Sequence, residues 1–228
     1  MNLLIDYLSK LITEERRQVL EKVLEQRTRY ITVVLEDIFQ PQNASAVLRT
    51  CDCFGVQDVH IIENENEYRI NPDVVKGASK WLTISNYNTT MHNTEATLKH
   101  LKSNGYRIVA TSPHVSEDSF EHFDITSQKT ALVFGTELTG ISEVVKQNAD
   151  DFLKIPMYGF TESFNISVSA ALLLQHLMMQ LRKSDIQWRL TKEEREKLMI
   201  DWLLKTLKHS DKVLQRFYEE LPNFTLPD

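Results

Sequence analysis

The chain has 228 residues, 42% of them hydrophobic and 25% charged, with two cysteines and a formal net charge of −6. This is the composition of an ordinary globular protein with enough apolar material for one or two domains. No apolar run approaches the ~20 residues of a membrane span and the amino terminus shows no signal-peptide pattern, so the expected address is the cytoplasm.

The order of patterns is helical, then alternating, then helical again. Leu3 to Leu11 and Glu14 to Gln26 read as amphipathic helices, with Thr13 a natural N-cap between them. Tyr30 to Leu35 is a β-branched run and therefore a buried strand. Ala44, Val47, Leu48, Cys51 and Phe54 recur at helical spacing until Gly55, a natural C-terminal stop. Val59–Ile62, Trp81–Ile84, Tyr106–Ala110, Ala131–Phe134 and Phe152–Ile155 supply further strands. A helix between Thr94 and Lys102 stops at Asn104-Gly105, and Asn165 to Arg182 reads as a long, almost uniformly apolar helix. From Thr191 the pattern is helical only, ending in a Pro222-Asn-Phe-Thr-Leu-Pro227 tail. Strands separated by helices indicate an α/β fold with a mostly parallel sheet. The expected organisation is a helical extension over 1–29, the α/β domain over 30–182, and a second helical extension over 183–228. Cys51 and Cys53 share one helix and point in different directions, which suits reduced core or half-core residues rather than metal ligands.

Three segments carry chemistry. Two are strands that run into polar, glycine-bearing loops: Ala131-Leu-Val-Phe-Gly-Thr-Glu-Leu-Thr-Gly140 and Ile155-Pro-Met-Tyr-Gly-Phe-Thr-Glu-Ser-Phe-Asn-Ile-Ser-Val-Ser-Ala170. Loops of this kind, outside the carboxyl ends of strands, are where open α/β sheets bind ligands. The third is Asn43-Ala-Ser-Ala-Val-Leu-Arg49. In order, spacing and most residues, the three resemble the SPOUT class of RNA methyltransferases, and within it the TrmH family of ribose 2′-O-methyltransferases. The resemblance covers about Ile31 to Leu181.

That resemblance implies more than periodicity can. The carboxyl-terminal part of the sheet, roughly Ile108 to Leu174, would be tied in a trefoil knot whose loops form the S-adenosyl-L-methionine pocket. The enzyme would be a homodimer with active sites drawn from both chains. Cofactor contacts carry over onto Thr111, Gly135, Ile155, Met157 and Phe164, where the family usually has leucine at the last position. Such a pocket holds adenine mostly through backbone groups, so side chains signal it weakly. The short helical ends and Gly77-Ala-Ser-Lys-Trp81 resemble the branch that methylates a tRNA D-loop guanosine, guanosine 18. Two alternatives stand beside it: a 2′-O-methyltransferase for ribosomal or other RNA, and a non-catalytic RNA-binding dimer of the same fold.

Arg49 falls on the helix face opposite the apolar stripe, toward solvent or a partner. Family mechanism makes this arginine the base that takes the ribose 2′-proton. Bringing a guanidinium from a pKa of ~13 down to ~7 costs about 8 kcal/mol. A cationic clamp on the neighbouring phosphate or the developing alkoxide is the other reading. Asn43 is either a helix N-cap or a site residue. Glu137, on a strand-ending loop, is either a carboxylate that orients Asn43 or Arg49 or an ordinary exposed loop acid, and the family match gives Ser163 and Asn165 substrate or cofactor positioning. Asn165 is also a good N-cap for the helix it precedes. Thr136 and Leu138 depart from the commoner residues of that motif.

Charge gives RNA binding little help. Residues 32–180 hold ten Lys/Arg against eighteen acids, while each end is close to +1. Phosphate contacts would rest on Arg16, Arg17, Arg189 and Lys192, with Arg27/Arg29 and Arg182/Lys183 as further clusters, and solvated helix faces as the bland reading of each. Other signals fail. Gly135-x-x-x-x-Gly140 continues Ile-Ser, so it lacks the P-loop lysine. No Gly-x-Gly-x-x-Gly follows a strand, and Ser163 lacks a nucleophile elbow. His114 and His122 have no metal-ligand spacing, so no metal is expected. Trp188 and Trp202 read as packing residues.

Overall fold

The computed structural model describes residues 3–75, 77–112 and 122–221. The chain runs α1 (Leu3–Ser9), α2 (Glu14–Leu24), β1 (Ile31–Glu36), α3 (Pro41–Phe54), β2 (Asp58–Ile62), α4 (Pro72–Val75), a 3₁₀ turn (Ala78–Trp81) and β3 (Thr83–Tyr87). It continues with α5 (Thr94–Ser103), β4 (Arg107–Thr111), β5 (Thr130–Phe134), α6 (Glu143–Asn148), β6 (Asp151–Leu153), α7 (Ile166–Lys183), α8 (Lys192–Thr206) and α9 (Ser210–Glu220). His114 and the 222–227 tail lie outside the described residues.

The six strands form one parallel sheet in the order β3-β2-β1-β5-β4-β6. Every residue of β1 and of β5 is buried, as expected for central strands covered on both faces. Alternate side chains of β1 serve different cores. Ile31, Val33 and Leu35 join α3 and α7, whereas Val34 joins α5 and α6. On the first face, α7 buries Ala170, Leu173, Leu174, Leu177, Met178 and Leu181, and packs along α3. Each leucine so buried contributes about 1.5–3 kcal/mol of transfer free energy.

Several expectations need correction. Trp81 and Leu82 are not strand residues. Gly77, at φ 78°, starts a 3₁₀ turn that Lys80 N–H closes on Gly77 O, so β3 begins only at Thr83. Helix α3 begins at Pro41 with Gln40 as N-cap, which makes Asn43 a residue of the first turn and not the cap. Pro41 explains the shift, because a proline's missing N–H costs nothing at the first helical position. Strand β6 stops at Leu153, leaving Ile155 in the following loop. Cys51 is buried, but Cys53 is exposed rather than half-core.

Contacts divide the chain into two units, residues 28–188 and residues 1–27 together with 189–228. The two terminal segments, taken from sequence as separate extensions, thus share one unit. In it α1 and α2 pack on α8, burying Leu4, Leu8, Leu20, Trp202, Leu203 and Phe217. Arg27 is 1% exposed and stacks over Trp202 at 5.2 Å, so it is unavailable to a phosphate. Thr191 and Glu194 form a capping box at the start of α8. The sheet unit closes on itself where the Thr28 hydroxyl donates to Trp188 O at 2.5 Å. Both Trp188 and Trp202 are buried packing residues.

Candidate active site at the carboxyl edge of the sheet

A cavity of about 500 Å³ opens where β4, β5 and β6 end. Its lining includes Asn43, Thr111, Gly135, Glu137, Ile155, Met157, Ser163, Phe164 and Asn165. These residues, scattered over more than a hundred positions of sequence, are brought together by parallel strands that all deliver their loops to one edge.

The loop after β5 is rigid for identifiable reasons. Thr136 N–H donates to Gly140 O at 2.9 Å and Gly140 N–H donates back to Thr136 O at 3.1 Å, leaving Glu137, Leu138 and Thr139 as the tip. A Cβ on Gly135 would lie 2.1 Å from Gly140 O, so only glycine permits this closure. Gly140 itself sits at φ 71°. At the base of the loop, buried Glu36 accepts hydrogen bonds from Ser142 N–H (3.0 Å), the Ser142 hydroxyl (2.7 Å) and the Thr94 hydroxyl (2.7 Å). Ser142 in turn caps α6.

Across the cavity runs a directed chain of hydrogen bonds. Ser167 N–H and hydroxyl donate to Asn165 Oδ1 at 2.8 and 2.7 Å, which makes Asn165 the N-cap of α7. Asn165 Nδ2 donates to Asn43 Oδ1 at 3.0 Å, and Asn43 Nδ2 donates to Glu137 Oε1 at 2.7 Å. A weaker contact of 3.3 Å joins Asn43 Nδ2 to Gln40 Oε1. Every amide is oriented by its neighbour, ending on a carboxylate that can only accept. The orientation of Asn43 and Glu137 is therefore set from the backbone of α7. Asn43 is 7% exposed, the burial of a working polar residue held by partners on both sides.

The floor is apolar, built from Phe134, Ile141, Leu153, Ile155, Ile166 and Leu173. Residues 155–164 form no helix or strand, and Ile155, Met157, Glu162, Ser163 and Phe164 of this segment line the cavity. The Thr111 hydroxyl is used internally, donating to Val133 O at 3.0 Å. Of the described lining residues Lys146 is the cation, ion-paired with Glu143 at 2.6 Å, and Glu137 and Glu162 are the acids.

Arg49 is not brought to this cavity. It is exposed on α3 and does not line the space its own chain forms. Among the basic clusters, Arg29 is tied to Asp58 at 2.9 Å and Arg182 Nη2 donates to Phe54 O at 2.9 Å. Arg16, Arg17, Arg189 and Lys192 belong to the helical unit, where Arg17 pairs with Glu21 at 2.8 Å. Sequence reasoning missed Gln40, Ser112, Lys146, Glu162 and Ser169 as lining residues. Pro41 was the available signal for Gln40, since a proline marks the first helical position. Lys146 lies on α6, a helix too short to show a period.

Residues 30–175 match the SpoU rRNA Methylase family. A relative from Borreliella burgdorferi, a tRNA (guanosine(18)-2′-O)-methyltransferase, is 45% identical over 96% of this chain and 96% of its own length. A protein of the same name from Thermus thermophilus is 35% identical over 85% of this chain and 98% of its own. Among solved structures, the A. aeolicus TrmH/SpoU tRNA modifying enzyme superposes with a TM-score of 0.76 at 31% identity, covering 86% of this chain and 98% of that one. The cavity, its motifs and these likenesses agree, and the chain belongs to the SpoU methylase family.

Proposed function

We propose that this protein is an S-adenosyl-L-methionine-dependent tRNA ribose 2′-O-methyltransferase acting on guanosine 18 of the D loop. The observation that carries the reading is the Asn165–Asn43–Glu137 chain inside the cavity, in a protein that matches a relative of that activity almost end to end.

The cavity fits the cofactor. Its volume lies within the usual range for small-molecule sites, with an apolar floor for adenine and the irregular backbone of 155–164 along its wall. Thr111, Gly135, Ile155, Met157 and Phe164 would hold it. The sulfonium supplies an already activated methyl group, so the protein's task is alignment and removal of one proton. Glu137 and Asn43 orient the ribose at the reacting end, and Ser163 and Asn165 fix the loop that closes over it. Arg49, exposed and outside its own cavity, serves the site of a second copy as a cationic clamp on the phosphate beside the target ribose.

A homodimer follows from the same argument. Helix α7 leaves Val168, Leu172 and Met179 exposed on one stripe at 42%, 40% and 47%, an aliphatic face suited to a matching helix. The trefoil knot is supported by topology. Strand β5 enters between β1 and β4, departing from the doubly wound order in which β4 would take that place. Arg16, Arg17, Arg189 and Lys192 are the proposed tRNA contacts, and no metal takes part. No described helix is long and apolar enough to cross a membrane, and we place the enzyme with its tRNA substrate in the cytoplasm.

The test is nucleoside mass spectrometry on tRNA incubated with the protein and labelled S-adenosylmethionine. The expected product is 2′-O-methylguanosine at position 18. A methyl group on ribosomal RNA alone would favour the other branch, and no transfer to any RNA would leave a binding protein.

A further inference from the structure

The cavity pairs an apolar floor with the polar Asn165–Asn43–Glu137 chain, and large apolar side chains lie on the loops beside it. Four large side chains stand almost free of protein on loops at the carboxyl edge of the sheet: Phe39 after β1 (70% exposed), Leu138 after β5 (97%), and Tyr158 and Phe160 after β6 (97% and 109%). Each adjoins the site in sequence. Leu138 lines the cavity itself, Phe39 precedes lining residue Gln40, Tyr158 follows Met157, and Phe160 lies two residues before Glu162. Exposed apolar side chains next in sequence to residues that line one cavity call for an occupant.

We infer that this rim is a stacking platform for nucleobases of the substrate RNA, with Phe160 and Tyr158 as its faces and Leu138 as a wedge beside Glu137. The inference rests on the proposed function and extends it to how the target nucleotide is presented. A ribose that reaches Glu137 carries its base one bond away, so that base must leave its stack and meet whatever borders Glu137. Aromatic rings accept any base, and apolar tips hold bases apart. A second copy of the chain is the competing occupant, and residue chemistry separates the two. The α7 stripe is aliphatic at helical spacing, the surface a second helix fits. The rim is three-quarters aromatic and carried on loops from three strands, which suits planar rings better than a helix.

The experiment measures tRNA binding and single-turnover methylation for Phe160→Ala, Phe160→Leu, Phe160→Tyr and Tyr158→Ala. Each variant is also assayed for S-adenosylhomocysteine affinity by calorimetry and for mass by sedimentation. Loss of one base–aromatic stack weakens RNA binding about 5- to 150-fold. Phe160→Ala and Phe160→Leu should both show that loss, because leucine keeps apolar bulk without a π face, while Phe160→Tyr should restore binding. Cofactor affinity and mass should not change. A variant that becomes monomeric, or Phe160→Leu behaving as wild type, would overturn the platform in favour of a protein contact or simple bulk. Failure of the wild-type protein to bind RNA would instead overturn the functional reading beneath it.

Discussion

The sheet unit and the helical unit use polar residues in opposite ways. In the sheet unit Asn43, Glu137 and Asn165 meet across 94 and 122 positions of sequence and depend on one another for orientation. In the helical unit the ion pairs and the cap are local, and the long-range contact of Arg27 with Trp202 is buried packing. Arg17 pairs with Glu21 and Lys205 with Asp201, each four residues apart on one helix, and Thr191 answers Glu194 at a cap. Long-range polar contacts inside a cavity are hard to keep unless they do something, since each partner must be desolvated and held. Local surface pairs are worth little and are easily exchanged for another partner. The first region should therefore respond to single substitutions sharply and the second gradually.

The sharpest break should come from removing charge at the reacting end. Arg49→Ala and Glu137→Ala should each lower single-turnover methylation at saturating tRNA by about 10²–10³-fold, the usual effect of losing one preorganised electrostatic contact. Arg49→Ala should leave S-adenosylhomocysteine affinity unchanged, because the proposed clamp meets the phosphate beside the target ribose and not the cofactor. Arg49→Lys should fail as well, since lysine lacks the planar fork. Mixing Arg49→Ala chains with chains damaged in the cofactor cavity should recover part of the activity. A near wild-type rate for Arg49→Ala would remove the shared-site dimer from the mechanism.

Next in size is the hinge of the Glu137 loop. In Gly135→Ala the new methyl would meet backbone at 2.1 Å, and backbone cannot swing aside as a flexible side chain can. Overpacking of this kind costs about 1–3 kcal/mol or more. The melting temperature should fall by several degrees and cofactor affinity with it, both read by thermal scanning with and without S-adenosylhomocysteine. Stability without cofactor equal to wild type would mean that the loop reopens easily and is not held rigid.

Acid should separate the two units less strongly. His60, on β2, donates to or accepts from the Tyr87 hydroxyl at 2.9 Å, and burial, helped by the charge of His100, lowers its pKa from 6.5 to about 4. Between those values the unfolded chain binds a proton that the folded chain refuses, so stability is lost as pH falls through that window. At about 1.4 kcal/mol per unit the full effect is roughly 3 kcal/mol. Urea titrations at pH 7 and pH 4.5 should show it, and His60→Gln should flatten the difference. An equal loss in the variant would assign the acid sensitivity to other groups.

The same contrast explains what was legible in the sequence. Buried strands announced themselves through β-branched runs such as Ile31–Leu35, and α7 through its apolar period, because burial constrains composition directly. The cavity residues were legible through motifs, not physics. Nothing in the local pattern of Asn43 says that it meets Glu137, and its position invited a capping role that Pro41 and Gln40 take instead. Lys146 and the 3₁₀ turn at Ala78–Trp81 were invisible because elements of four to six residues carry no measurable period. The basic clusters were read alike, yet Arg27 is buried under Trp202 and Arg29 is tied to Asp58, outcomes set by tertiary partners that local charge does not reveal.

The smallest expected effects lie on the helical unit, and they test whether it holds RNA at all. Neutralising Arg16, Arg17, Arg189 or Lys192 should make the slope of log affinity against log salt shallower by ~0.7–0.9 per lost phosphate contact, while turnover at saturating tRNA survives. Arg17 permits a finer measurement. It is about half exposed and pairs with Glu21 across 2.8 Å, a surface pair that is easily exchanged for another partner. If Arg17 moves to a phosphate on binding, Glu21 competes with the RNA for it. Glu21→Gln should then tighten tRNA binding by up to about fivefold, with the slope unchanged because the number of phosphates held is the same. The gain should vanish when Arg17→Ala is added, which separates competition for one side chain from the general benefit of one fewer negative charge. A gain that persists in the double variant would mean that only net charge matters and that Arg17 stays with its own helix.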